Sequence, residues 1–146
     1  GMQVVRAIGA RAPLHLPSTG KLFLSTADTR QVRAYALRTG LAGHTRNSLT
    51  DLERLERELA LVRRHGYARD NEELELGGRC IAAGIFDDTG KLVAGLSISA
   101  PAERLQDDWI KARVDPSASI CEALGYEPSV SSGFNGLGMA AEAMRT

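Results

Sequence analysis

Apolar residues recur at three- and four-residue intervals in two stretches of the first half of the chain. Between residues 21 and 37 this spacing predicts one or two short helices, for which Ser18 is a candidate N-cap. A longer helix is predicted from Thr50, because Thr50 and Glu53 have the spacing of a capping box and Gly66 is suited to end a helix. The apolar side of that longer helix comprises Leu52, Leu55, Leu59 and Val62.

The hydrophobic period changes from helical spacing to two after Gly66. Residues 67–76 favour either a partly exposed strand or a loop, since three glutamates interrupt the alternation. Two strands are predicted from Cys80 to Phe86 and from Lys91 to Ser99, joined by a hairpin loop in which Gly90 can adopt a positive φ. Residues 3–8 are rich in β-branched side chains and predict a further strand.

Pairing Phe86 with Lys91 in this hairpin sorts its side chains onto two faces. One face is entirely apolar and is expected to pack on helices as the main core. It carries Ile81, Ala83, Ile85, Leu92, Ala94, Leu96 and Ile98. The opposite face carries Cys80, Ala82, Gly84, Val93, Gly95, Ser97 and Ser99. Because small side chains forfeit buried apolar area, this second face, called the small face below, is predicted to leave room for a small polar ligand.

Other interpretations of the same residues remain open at this point. A small sheet face also permits the close approach of a helix or of a second subunit, and a β-bulge would change which residues share a face. Cys80 can be a buried apolar residue, Asp70 a turn residue, and Ser18 with Thr19 a helix cap. Ser97 and Ser99 can be edge serines that bond only to water.

The C-terminal third of the chain predicts one more helix, from about Leu105 to Leu124. Pro116 is expected to kink or break it near Asp115, since proline is unfavourable inside a helix. Trp109 is expected at a helix or subunit contact. Residues 127–146 predict a flexible linker followed by a short terminal helix.

The composition narrows the classes of function. A chain of 146 residues fits one domain, and its 18 basic and 18 acidic residues cancel, which argues against direct binding of nucleic acid or of an anionic membrane surface. Cys80 and Cys121 lack the spacing of a metal site or a disulfide framework, so a reduced, cytoplasmic setting is expected. There is no apolar run of about 20 residues that would span a membrane. The leading Gly1-Met2 suggests a tag remnant in front of a chosen start, with an upstream segment removed.

Four segments of the chain form an ordered set of motifs. They are PLHLPSTGK from Pro13, GYARDNEE from Gly66, GGRCIAAGIFDDTGKLVAGLSIS from Gly77 and AP-x-x-RL-x-DD from Ala100. In this order and spacing, from Val5 to Tyr126, they resemble the effector-binding domain of the IclR family of bacterial transcriptional regulators. The resemblance implies a GAF-like α/β (α+β) fold in which helices flank a central, mostly antiparallel sheet. It also implies an effector-binding domain at residues 1–126, with the winged helix-turn-helix that binds DNA absent from this chain.

The resemblance further implies an effector pocket between the sheet and the loop that leads into the first helix. Matched motif by motif, its contacts would be Ser18, Thr19, Asp70, Cys80, Ser97 and Ser99. Backbone N–H groups at a helix start favour an anion, serine hydroxyls can donate to it, and Asp70 can accept from a hydroxyl at the opposite end. The expected effector is therefore a small hydroxy, oxo or aromatic acid. His15 is expected to order its loop rather than to bind a metal, and no cofactor is expected.

The resulting hypothesis is a ligand-sensing domain of a homo-oligomeric regulator, without enzymatic activity or a membrane partner. Its effector would shift the balance between two arrangements of domains or subunits, by as much as its affinities for them differ. One alternative is a stand-alone GAF-type enzyme in which Cys80 is a reactive thiol. Another is a pure oligomerisation module in which a neighbouring chain fills the small face.

Overall fold

The structure is a computed structural model that describes residues 9–106, 108 and 111–127. Its elements follow in the order α1 (Ser18–Ser25), α2 (Thr29–Thr39), α3 (Leu52–His65), β1 (Tyr67–Asn71), β2 (Gly78–Phe86), β3 (Leu92–Pro101) and α4 (Lys111–Ala123). The described strands form an antiparallel sheet in the order β1-β2-β3, against which helices pack. The predicted α+β class is therefore confirmed. The strand predicted at residues 3–8, Trp109 and the segment after residue 127 lie outside the described residues.

The stretch between residues 18 and 39 forms two helices, as predicted, but Ser18 is not the cap of the first. The N-cap of α1 is Pro17, whose extended backbone has ψ 149°, and no side chain caps this helix in the described part of the chain. Helix α2 has a capping box that the sequence analysis missed: the Asp28 carboxylate accepts from the Gln31 N–H at 2.7 Å, and the Gln31 side chain accepts from the Asp28 N–H at 3.0 Å. The first turn of α1 therefore keeps N–H groups without a side-chain cap.

The helix predicted from Thr50 is confirmed as α3, with a correction at its start. Asp51, rather than Thr50, is the N-cap, because its side chain accepts from the Arg54 N–H at 2.8 Å. Glu53 consequently lies one position too early for a capping box and pairs with Arg57 instead. Gly66 ends the helix with φ 76°, in the left-handed region that glycine adopts without strain. The buried residues of α3 are Leu55, Leu59 and Val62.

The predicted pairing of the hairpin is wrong by two residues, yet most of the small face is retained. The loop is tighter than expected, because the Asp87 N–H bonds to the Lys91 carbonyl at 3.0 Å and Phe86 pairs with Leu92. A bulge then leaves Val93 without a partner, so that Cys80 lies opposite Ser99 instead of Ser97. Each change shifts the register by one residue, and two such shifts restore the original alternation.

The small face is partly filled by packing. Both faces of β2 are buried from Cys80 to Phe86, so the apolar face is not the only core. A Cβ added to Gly95 would lie 2.9 Å from the Thr19 methyl group, which shows that α1 approaches the sheet closely there. Leu92, predicted on the apolar face, lies against Gly84 because the bulge moves it across. Close approach of a helix, one of the open alternatives, therefore explains part of this face.

Helix α4 begins at Lys111 and contains Pro116, so the predicted break near Asp115 is wrong. Its buried side anchors β2: the Ser117 hydroxyl donates to the Gly84 carbonyl, and the Cys121 thiol accepts from the Phe86 N–H at 3.2 Å. None of the described helices is long and apolar enough to cross a membrane.

Candidate functional site

Three of the residues predicted to bind an effector stand in one row across the sheet. Asp70 in β1 lies opposite Cys80 in β2, which lies opposite Ser99 in β3. The Cys80 sulfur and the Ser99 hydroxyl oxygen are 2.9 Å apart. Ser97 is two residues from Ser99 on the same face, opposite Ala82.

The start of α1 lies farther along the same face. Gly95 follows Ser97 in the alternation, and Thr19 lies directly over Gly95. The first α-helical backbone bond of α1 runs from the Lys21 N–H to the Pro17 carbonyl, so the N–H groups before it have no acceptor within the helix. Ser18 is buried beside Thr19, and no hydrogen bond joins it to the other five predicted residues among those the structure describes. The structure thus brings five of the six residues onto one face, with Ser18 adjacent in sequence.

Asp70 holds the segment that follows β1. Its Oδ1 atom accepts from the Glu73 N–H at 2.8 Å and from the Leu74 N–H at 3.3 Å, while only 3% of the residue is exposed. Asp70 is therefore a turn residue, as one of the open interpretations had it.

The row of Asp70, Cys80 and Ser99 borders a small cavity that the following segment helps to close. Leu74, Glu75 and Gly78 complete much of its lining, and its volume is about 10 Å³. A volume of that size holds about one water molecule. This cavity is therefore too small to hold a metabolite, whereas Asp70 and Cys80 also line a larger cleft beside β1.

Lys21, which the sequence analysis missed, links several elements beside the candidate site. Its side chain is fully buried, and its Nζ atom donates to the Arg69 carbonyl at 2.6 Å, to Glu73 at 2.8 Å and to Glu58 at 3.3 Å. It thereby joins α1 to α3, to β1 and to the segment after β1. The only signal was that a lysine directly precedes the apolar residues 22–24 of α1, since a buried cation requires partners.

The Glu73 carboxylate accepts hydrogen bonds from a side chain and from a backbone N–H group. Besides Lys21, the Asn71 N–H donates to its Oε2 atom at 2.9 Å, and only 6% of the residue is exposed. Burial raises the pKa of Glu73, and the attraction of Lys21 offsets this only in part. Burial of this ion pair is therefore costly, and the Oε1 atom of Glu73 has no hydrogen-bond partner within the described part of the chain.

The loop before α3 fastens the segment after β1 from its other side. The Thr45 hydroxyl donates to the Glu72 carbonyl and the Ser48 hydroxyl to the Glu73 carbonyl, both at 2.6 Å. The Ser48 oxygen also accepts from the Thr45 N–H at 2.9 Å. The segment Glu72–Gly77, called the cover segment below, is therefore held by Asp70, by Lys21 and by this loop.

His15 orders the region in front of α1. Its Nδ1 atom lies 2.9 Å from the Tyr35 hydroxyl and its Nε2 atom 3.0 Å from the Ala42 carbonyl. Burial lowers the pKa of His15, and because the carbonyl can only accept, the neutral ring carries its proton on Nε2. The Tyr35 oxygen meanwhile accepts from the Leu14 N–H at 2.8 Å. No cluster of three or more metal-ligating side chains exists among the described residues.

Both cysteines are buried, and neither forms a disulfide with a residue that the structure describes. Burial raises the pKa of the Cys121 thiol, which disfavours the thiolate that a nucleophile needs. Cys80 is 6% exposed and lies against Ser99.

Comparison with known proteins identifies the family to which the chain is similar. The family model of the bacterial transcriptional regulator IclR C-terminal domain matches residues 1–120. The HTH-type transcriptional repressor AllR of Escherichia coli K12 is 40% identical over 124 residues, which make up 82% of this chain and 46% of AllR. The chain therefore spans about half the length of the curated relatives it matches. These relatives are named as transcriptional repressors.

Solved structures share the fold. The C-terminal domain of the E. coli transcriptional regulator KdgR is 36% identical, with a TM-score of 0.72 over 82% of this chain and 75% of that chain. The inducer-binding domain of PobR from Acinetobacter, a double mutant in complex with 3-hydroxybenzoic acid, is 28% identical, with a TM-score of 0.73 over 85% of this chain and 74% of that chain.

Proposed function

This chain belongs to the IclR family of bacterial transcriptional regulators, whose C-terminal domain it matches, and we propose that it senses a small carboxylic acid for such a regulator. The proposal rests on one observation above all. Five chemically suitable side chains, contributed by four different elements, share one face of the sheet. They are Thr19, Asp70, Cys80, Ser97 and Ser99. Ser18, buried next to Thr19, completes the proposed effector site.

The polarity of this face supports an anionic effector with a hydroxyl or oxo group. At one end, the first turn of α1 offers N–H groups and the positive end of the helix dipole to a carboxylate. Ser97 and Ser99 are both exposed and can donate to the same group. At the other end, Asp70 accepts hydrogen bonds. The effector is therefore a small hydroxy, oxo or aromatic acid, a class to which the ligand of the PobR domain also belongs.

Binding requires the cover segment to move. The cavity at Asp70, Cys80 and Ser99 has a volume of about 10 Å³, which is far below the several hundred cubic ångströms of ordinary ligand sites. Leu74 and Glu75 are the residues of the cover segment that line it. An effector that displaces them alters the hydrogen bonds of Glu72 and Glu73, and with them the contact between the sheet and the loop before α3.

Isothermal titration of the chain with a panel of hydroxy, oxo and aromatic acids, including 3-hydroxybenzoate, tests the proposal. We expect one acid to bind, and Ser97→Ala and Thr19→Val to weaken it about tenfold each, because each removes one hydrogen bond to a charged group. Thr19→Val keeps the methyl group that packs on Gly95. Ser119→Ala, at an exposed serine of α4, is the matched control and should bind as the unmodified chain does.

Two results would contradict the proposal. One is the absence of heat and of thermal stabilisation with every acid of the panel. The other is binding that Ser97→Ala and Thr19→Val leave unchanged, since the effector would then lie elsewhere.

For the whole protein we propose that residues 1–126 form the effector domain, with a tail at 127–146, and that DNA is bound only by an N-terminal domain outside this chain. The neutral net charge and the helix-turn-helix in the name of AllR support this division. We also propose a homo-oligomer, since a two-fold symmetric regulator suits a palindromic operator. We place it in the cytoplasm, since neither cysteine forms a disulfide within the described residues. Effector binding then shifts the arrangement of the subunits and the affinity for DNA.

A further inference from the structure

A second, larger cavity lies beside β1 and is lined largely by polar side chains. This cleft has a volume of about 660 Å³, within the usual range of small-molecule sites. Four of its lining residues are arginines, and they come from four different parts of the chain. Arg46 lies in the loop before α3, Arg54 in the first turn of α3, Arg69 in β1 and Arg79 in β2.

The positive charge of this cleft is only partly compensated. Three carboxylates line it, and two of them, Glu58 and Glu73, already bond to Lys21. The side chains of Arg46 and Arg54 form no ion pair with any residue that the structure describes. Arginine guanidinium groups in such a setting favour carboxylate or phosphate groups, which they can bind through two parallel hydrogen bonds.

Arg79 gives the most specific sign of a missing partner. Its Nη1 atom makes a long hydrogen bond of 3.4 Å to the Ala102 carbonyl, and its Nη2 atom lies 3.6 Å from a carboxylate oxygen of Glu72. Its Nε atom is buried and has no hydrogen-bond partner within the described part of the chain. A buried N–H without an acceptor is unfavourable, whereas an anion in the cleft could accept from it.

We propose that this cleft is a second anion site, which adjoins the effector site and shares Asp70 and Cys80 with it, and that it binds a small molecule with two anionic groups, carboxylates or phosphates. Arg79 binds one of these groups from the strand side, and Arg46 with Arg54 bind the other from the helical side. Arg69 contributes less, because its guanidinium lies over the Tyr67 ring at 5.6 Å from the centroid.

The two sites adjoin but can be tested apart. Asp70, Cys80 and Arg79 line both the cleft and the small cavity, whereas Arg46 and Arg54 line only the cleft. Ser97 lines neither cavity and belongs only to the proposed effector site. Variants at Arg54 and Ser97 therefore report on different sites.

Titration with pyrophosphate and with succinate, and with acetate as a monovalent comparison, tests the second site at physiological ionic strength. We expect at least one dianion to bind more tightly than acetate, and Arg79→Gln to weaken it about tenfold, as expected for a lost charge-assisted hydrogen bond. Arg54→Gln should weaken it about threefold, since Arg54 is exposed. Arg57→Gln is the matched control: Arg57 lies on the same helix, pairs with Glu53 and does not line the cleft.

Three results would overturn the proposal. They are the absence of dianion binding at millimolar concentration, an equal loss in Arg57→Gln, which would indicate a general charge effect, and a loss in Ser97→Ala, which would place the dianion in the effector site. If Arg79→Gln does not fold, the test uses Arg46→Gln and Arg54→Gln instead, since both of these arginines are exposed. Failure of the acid panel with intact dianion binding would refute the effector proposal alone.

Discussion

Thr19 lies directly over Gly95, so that a Cβ on Gly95 would come within 2.9 Å of the Thr19 methyl carbon. The same Cβ would lie 3.3 Å from the Leu22 side chain. This contact fixes how closely α1 approaches β3, and hence how far its first turn stands from Ser97 and Ser99 on the same face. Glycine at this position is needed for the approach of a helix and not, in itself, for a ligand.

The Gly95→Ala substitution should therefore lower the free energy of unfolding by about 1–3 kcal/mol, the usual cost of overpacking. Because α1 must shift, effector binding should weaken as well. Urea unfolding and titration of the tightest-binding acid measure the two effects. For the unfolding measurement Gly78→Ala is the control, since its Cβ would be 3.7 Å from the nearest heavy atom, an ordinary contact. Equal stability of the two variants would contradict the packing argument.

The face shared by the candidate site residues could be predicted from the sequence, although the exact pairing could not. The alternation of side chains depends only on whether a shift is even or odd, and the shift at Asp87–Lys91 and the bulge at Val93 together make it even. The bulge itself could not be predicted from the sequence, because the valine at position 93 is favourable in a regular strand. Likewise Thr50 and Asp51 are both good caps, and local sequence alone could not decide between them.

The hydrogen bonds and ion pairs of Lys21 could not be predicted from the sequence, because its partners are far apart in the chain. Glu58 and Glu73 are acidic residues in regions that read as a solvated helix face and an exposed loop. Only the packing of α1 between α3 and β1 brings them to one buried ammonium group.

The Lys21→Met substitution should cost about 3–5 kcal/mol of stability, because it leaves the buried Glu73 carboxylate without its counter-ion. Adding Glu73→Leu should recover much of this loss, since removing both charges avoids the unpaired one. Chemical unfolding of the two variants and of the unmodified chain measures the difference. A double variant less stable than Lys21→Met alone would contradict this explanation.

The raised pKa of Glu73 predicts a dependence of stability on pH. A carboxyl group whose pKa is higher in the folded chain contributes stability below its ordinary value of 4.5, and this contribution is lost as pH rises through the folded pKa. Each unit of difference is worth about 1.4 kcal/mol. The stability of the unmodified chain relative to Glu73→Gln should thus decrease as pH increases from 4.5, in unfolding curves recorded at a series of pH values. An increase over that range would mean that Lys21 outweighs burial.

The two thiols should react slowly in the folded chain. Cys80 and Cys121 are 6% and 2% exposed, and burial raises the pKa of Cys121. A colourimetric disulfide reagent at neutral pH should therefore modify both much faster in denaturant than in buffer. Cys80→Ser and Cys121→Ser, each measured separately, identify the thiol that reacts. Rapid modification of Cys80 in the folded chain would contradict this prediction and would support the alternative of an enzyme with Cys80 as a reactive thiol.

Substitutions of Asp70 separate its role in the cover segment from contact with an effector. Asp70→Ala removes the acceptor for the Glu73 and Leu74 N–H groups and should cost about 0.5–2 kcal/mol, as the loss of a comparable cap does. Asp70→Asn keeps a side-chain oxygen for these donors and should be nearly as stable as the unmodified chain.

If the carboxylate of Asp70 also accepts a hydroxyl from the effector, Asp70→Asn should weaken the binding of hydroxy acids about tenfold while leaving oxo acids of similar size nearly unchanged. Titration of the stable Asp70→Asn variant with matched pairs of hydroxy and oxo acids makes this comparison. Equal affinity for both kinds of acid, at the level of the unmodified chain, would confine Asp70 to holding the cover segment. The hydroxyl of the effector would then need another acceptor, and the Cys80–Ser99 pair, 2.9 Å apart in the same row, is able to accept it.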